Sequence, residues 1–218
     1  MTEPDVALTD YGLAIECALF AWLLSIDATR HGQLRRRMVL FFAAAAVAPL
    51  AGGTVHGFLL ESEGALHSVL WVSALLAIGL TALFAWAIGA EIILQPRHAR
   101  LVERVARFTF VANAMVVIFV HDAFWVAIAF YLPAALFLLL AFLLRVLKDR
   151  LPGAGLGAWG VALGILAAAL QQLRVTIHPT YFNHNAVYHL VQAVAFVFLF
   201  AGMRRLLGAN GGSHADAT

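Results

Sequence analysis

S-V-L-W-V-S-A-L-L-A-I-G-L-T-A-L-F-A-W-A-I-G-A-E-I-I-L, residues 68–94, is the stretch whose reading decides the fold class. Its one charged residue, Glu91, comes near the end. A helix rises about 1.5 Å per residue, and about 20 apolar residues cross a hydrocarbon core of about 30 Å. The run reaches that length without a break. Working outward, six further apolar runs fit the same template: 11–26, 38–60, 105–120, 123–146, 155–173 and 185–206. The chain therefore reads as an all-α, polytopic membrane protein with seven transmembrane helices. Its composition agrees, with 63% hydrophobic and 12% charged residues, where soluble domains carry about 25% charged.

The connections alternate in charge. T-R-H-G-Q-L-R-R-R is basic and E-S-E-G-A-L-H is acidic. Q-P-R-H-A-R-L-V-E-R-V-A-R and R-V-L-K-D-R-L-P-G are basic again, and so is M-R-R-L-L-G after the last run. Every Lys or Arg except Arg174 falls on one side. The positive-inside rule then places the N-terminus outside and the C-terminus in the cytoplasm. The acidic start, M-T-E-P-D-V, lacks the basic region of a signal peptide. A single cysteine, Cys17, excludes an internal disulfide. Residues 1–208 read as one bundle and 209–218, small and polar, as a disordered tail. Abundant alanine, with arginine nearly replacing lysine, hints at a bacterial source and hence the inner membrane.

Six histidines fall on the outer side of this topology: His56, His67, His121, His178, His184 and His189. Counted along the expected helices, Glu16, His56 and His189 share one level, about 6–8 Å below the outer interface. An intramembrane carboxylate must be paired or neutralised, so Glu16 is a candidate site residue. Asn185, His189 and Gln192 follow i, i+4, i+7 and form one helical face bordered by Tyr188. His184 is about 140° from His189 on a regular helix and reaches the same ion only from a capping position. Asn183 or Asn185 can cap that helix, and Asp10 reads as the cap of the first. Gly52, Gly53 and Gly57 make a notch around His56 that admits a helix or a ligand. Gly157, Gly160 and Gly164 read as a close-packing stripe. Arg174 is either an interfacial cation or a binder of a substrate carboxylate or phosphate. The tryptophans read as interface or packing residues. For His56 and His189, hydrogen bonding across helices is the alternative to ligation. His67, His121 and His178 fit interfacial solvation. No phosphate loop, H-E-x-x-H, C-x-x-C or G-x-S-x-G occurs.

L-T-D-Y-G-L (8–13), G-G-T-V-H-G-F (52–58) and N-H-N-A-V-Y-H-L-V-Q (183–192) resemble an uncharacterised family of bacterial seven-helix membrane proteins. More distantly, the chain resembles the superfamily of alkaline ceramidases and progestin and adipoQ receptors. That resemblance implies a zinc site using a helix-two histidine, here His56, and the second histidine of an H-x-x-x-H pair, here His189. The first position of the pair is Asn185, and the assisting serine position is Gly52. A third ligand then comes from Glu16, His67 or His184. The implied activity is zinc-dependent hydrolysis of a lipid amide or ester, through a metal-activated water. Glu16 and Asn185 would assist catalysis, and Gln192, Tyr188, Arg174 and His67 would contact substrate. The alternative is a metal-free, receptor- or sensor-like bundle that binds a lipid or small ligand. There Asn185 is a hydrogen-bonding residue. Membrane lipids are the expected partners in both cases.

Overall fold

The computed structural model describes residues 1–26, 32–62, 64–178 and 181–212. Arg30 and His31 of the first basic loop, and the tail from residue 213 with His214, lie outside the described residues. The chain forms α1 (Pro4–Ile26), α2 (Gly32–Thr54), a π-helical turn (Val55–Leu59), α3 (Ala65–Ile93), α4 (Pro96–Phe119), α5 (Phe124–Asp149), α6 (Ala154–Gln172) and α7 (His184–Gly212). No strand occurs among the described residues; His178 and Phe182 form an isolated bridge in the α6–α7 connection. Among the described residues, six helices are long and apolar enough to cross a membrane. The other, α4, is 24 residues long, but Arg97, Arg100, Glu103, Arg104 and Arg107 crowd its first half.

α1, α2, α4 and α7 run well beyond their apolar stretches, α2 starting at Gly32 instead of residue 38. α1 starts at Pro4 instead of residue 11. Pro is favoured at the first helical position, and Asp5 in the first turn complements the helix dipole. Thr9 turns its hydroxyl back onto the carbonyls of Asp5 and Val6. α4 likewise starts on Pro96, and Glu103 pairs with Arg107 one turn on at 2.7 Å, so a charged stretch read as a loop is helix. α7 stays helical to Gly212, four residues into the stretch read as tail.

At the N-terminus of α7, Asn183 Oδ1 accepts from the backbone N–H of Asn185 (2.9 Å) and Ala186 (3.2 Å). Its own N–H donates to Asp5 Oδ2 at 3.2 Å, tying α7 to α1. Asn183 is therefore the cap. Asn183→Ala is expected to lower stability by about 1 kcal/mol and Asn183→Asp to leave it nearly unchanged, read by chemical unfolding in detergent.

The large buried side chains gather toward the end of the bundle carrying the basic loops. Phe41, Phe42, Met38, Ile88, Leu138, Phe142 and Met203 fill it. Phe20 stacks on Phe200 with ring centroids 4.3 Å apart. α6 and α7 approach closest where glycine replaces side chains. A Cβ on Gly160 would lie 2.5 Å from Leu199 N, and one on Gly202 would lie 2.5 Å from Gly157 N. At the same end, buried Arg37 of α2 joins Glu91 of α3 and Glu103 of α4. The opposite end, with the N-terminus and the α2–α3 and α6–α7 connections, holds the cavity bordered by His56 and His189.

Candidate functional site

Asp10 lies inside α1, 3% exposed, and does not cap the helix. It continues the buried stripe Val6, Asp10, Leu13, Cys17, Phe20, Leu24, which recurs at three- and four-residue spacing. A carboxylate there needs a partner, and α7 supplies it. His189, 8% exposed, sets Nε2 3.1 Å from Asp10 Oδ1 and Nδ1 3.1 Å from Thr9 Oγ1. Asp10 Oδ2 is buried and has no hydrogen-bond partner among the described residues. The close approach of α1 and α2 explains Gly53. A Cβ there would come within 2.7 Å of Asp10 Cβ and 3.3 Å of the Ala7 carbonyl oxygen.

The second histidine is held by the N-terminal segment. His56 Nδ1–H donates to Glu3 Oε2 at 2.6 Å. The backbone N–H groups of Thr2 and Glu3 donate to the carbonyls of Gly57 and His56 at 3.1 and 3.2 Å. His56 lies in the π-helical turn, whose wider ring offsets its side chain from the α-helical path. Upstream, Pro49 removes one hydrogen bond of α2.

Both histidines border a cavity of about 300 Å³ that is lined from every helix but α4. Leu13, Pro49, Ile78, Ile128, Ile165 and Phe196 make its walls apolar. Its polar side chains include Asp10, His56, Gln171, His184, Asn185, Tyr188, His189 and Gln192, with Thr81, Tyr131 and Trp71 on the walls of α3 and α5. Gln171 Nε2–H donates to Asn185 Oδ1 at 3.2 Å, joining α6 to α7. Gln192 is 6% exposed and borders the cavity opposite Gly164, where a Cβ would meet its carboxamide at 3.5 Å. Gly164 thus makes room for Gln192, and the Gly157–Gly160 stripe does the close packing.

Six expected site residues meet here: His56, His184, Asn185, Tyr188, His189 and Gln192. The other three do not line the cavity. Glu16 is twelve residues into α1, about 18 Å along it, half-buried, with Oε2 unpaired. The early start of α1 moves Glu16 off the expected level, and Asp10 takes its place. His67 donates Nδ1–H to the Leu59 carbonyl at 2.9 Å and braces the end of the π-helical turn. Arg174 is exposed at the end of α6 with φ 53°. Beyond Asp10, the sequence reading passed over Glu3 and Tyr131 and took Trp71 for an interface or packing residue. Trp71 lines the cavity and donates Nε1–H to the Asp122 carbonyl at 2.7 Å. The stripe spacing could have found Asp10; nothing local marks the others.

Among the described residues no three His, Cys, Asp or Glu side chains gather closely enough to hold a metal ion. His56 and His189 are each engaged by one carboxylate, Glu3 and Asp10, so these donors stand as two pairs. As they stand, these residues do not fit a three-ligand zinc site.

Residues 6–208 match a family of unknown function (DUF6962). The chain belongs to that family. The match takes in Asp10, His56, His189 and every other cavity residue named above. No curated protein and no solved structure matches the chain.

Proposed function

We propose that this multi-pass membrane protein binds an amphipathic small molecule or lipid in the cavity at its N-terminal end, without metal, as a receptor- or sensor-like bundle. The observation carrying this is the cavity itself, with apolar walls and polar side chains converging at one end. Such a shape suits a ligand with an oily body and a polar head. Leu132 lines the cavity yet is 38% exposed on the outer surface of α5. α5 and α6 meet through Phe142 against Gly157 nearer the basic end, while Leu132 and Ala168 flank the cavity. A ligand dissolved in the bilayer enters between them. The cavity end faces outside the cell, because the basic residues, Arg174 apart, lie toward the other end.

Zinc-dependent lipid hydrolysis rests on the resemblance to the ceramidase and adipoQ receptor superfamily. It needs a third ligand that the carboxylate-paired histidines lack. The two readings separate on protein purified without a His-tag or chelators. Elemental analysis is expected to find no stoichiometric metal. Solvent extraction and mass spectrometry are expected to find a bound amphiphile that Gly164→Leu, which fills the cavity, excludes. About one zinc per chain, lost in the His56→Ala/His189→Ala double variant, would reject the metal-free reading in favour of the hydrolase.

A further inference from the structure

The geometry points to a ligand with a cationic head: an amphiphilic amine whose ammonium group pairs with Asp10 Oδ2 while its apolar part fills the cavity. This rests on the ligand-binding reading above and names the chemistry of the head. Asp10 is nine-tenths buried or more, lines the cavity, and spends only Oδ1 on His189. Its Oδ2 has no partner among the described residues. Gly52 also lines the cavity beside this carboxylate: a Cβ there would make ordinary contact with Oδ2 at 3.8 Å, and glycine leaves that space empty. Among the described residues no Lys or Arg lines the cavity, and His56 and His189 are each engaged by a carboxylate, so a phosphate or carboxylate head would face Asp10 without a guanidinium or ammonium partner. Trp71, Phe124, Tyr131 and Tyr188 also line it, and aromatic faces attract a desolvated cation.

The hydrogens are consistent with that occupant. With Asp10 ionised, His189 is neutral and donates Nε2–H to Oδ1. Its Nδ1, 3.1 Å from Thr9 Oγ1, then accepts the single hydroxyl hydrogen of Thr9 in place of the Asp5 and Val6 carbonyls, which lie 2.9 Å from the same oxygen. Oδ2 is left with a lone pair and an uncompensated charge, and an ammonium group supplies both a donor and the opposite charge.

Octylamine, octanol and octanoate share one tail and differ in the head. Their binding to the full chain in lipid nanodiscs at neutral pH is measured by calorimetry, with Gly164→Leu as the blocked-cavity control for partitioning into lipid. The expected order is octylamine tightest, octanol weaker by at least about tenfold, and octanoate undetected. Asp10→Asn is expected to remove the preference for amine over alcohol while octanol still binds. Equal binding of amine and alcohol, tighter binding of octanoate, or a preference that survives Asp10→Asn overturns the amine assignment and leaves the cavity as a binding site. Failure of all three probes to exceed the blocked control overturns the ligand-binding reading itself. The wild-type order alone decides the matter if Asp10→Asn does not fold.

Discussion

Gly160→Leu is expected to prevent recovery of a monodisperse folded bundle. The added Cβ would fall 2.5 Å from Leu199 N and 2.8 Å from the Ala195 carbonyl oxygen. Those neighbours are backbone, and no rotamer change moves them. Relief requires α6 and α7 to separate. That separation breaks the seam that continues where Gly202 meets Gly157, a Cβ on Gly202 falling 2.5 Å from Gly157 N. Overpacking a core typically costs about 1–3 kcal/mol, and more where backbone must shift. In a membrane the loss is sharper, because helix association there depends on close van der Waals packing of small residues. Gly155 is the control: a Cβ there meets nothing within 4 Å. Gly155→Leu should keep the wild-type elution profile and unfolding midpoint. Size-exclusion chromatography and thermal unfolding in detergent read both variants. A Gly160→Leu protein as stable as Gly155→Leu would show that α6 and α7 do not meet along this seam.

Arg37→Met should destabilise the basic end by about 2–3 kcal/mol, somewhat less than the 3–5 kcal/mol of a fully buried pair. Arg37 is 9% exposed, and its guanidinium joins Glu91 and, at 2.6 Å, Glu103. Three helices are tied by that one group. Removing it leaves two partly buried carboxylates facing each other across α3 and α4. Glu103 keeps Arg107, at 2.7 Å, whereas Glu91 has no other ion-pair partner among the described residues. Adding Glu91→Gln to Arg37→Met should therefore recover much of the loss, and adding Glu103→Gln should recover less. An additive double variant, with no recovery, would mean that Arg37 acts through packing of its stem alone.

The fold was legible because membrane helices obey a simple rule of length and apolarity. The runs from 68 to 94 and from 123 to 146 fall within three residues of α3 and α5. The rule fails where polar residues are helical for tertiary reasons. Asp10 read as the cap of a helix beginning at residue 11, with Thr9 before it. They lie within one because His189 receives both. The first half of α4 looked like a loop because it is charged, and Arg37 and Arg107 hold its Glu103 in place.

The candidate site was half legible for the same reason. Asn185, His189 and Gln192 share a face by helical arithmetic alone, and all three line the cavity. Glu16 was placed beside them by counting from a helix start seven residues too late.

By itself the sequence determined seven helical segments, their order, the charge difference between the two ends, and a polar face at the start of α7. Each follows from composition and period within one segment. Only the tertiary structure decided that His56 pairs with Glu3 and His189 with Asp10, and so that the histidines stand in two pairs. Only it decided that Asp10, not Glu16, lines the cavity, with one carboxylate oxygen left without a hydrogen-bond partner among the described residues. Those outcomes depend on the rotation of α1 against α7 and on a wide turn in the second span. Rotation is set by where glycines let backbones meet, summed over several helices, and no single segment carries that information.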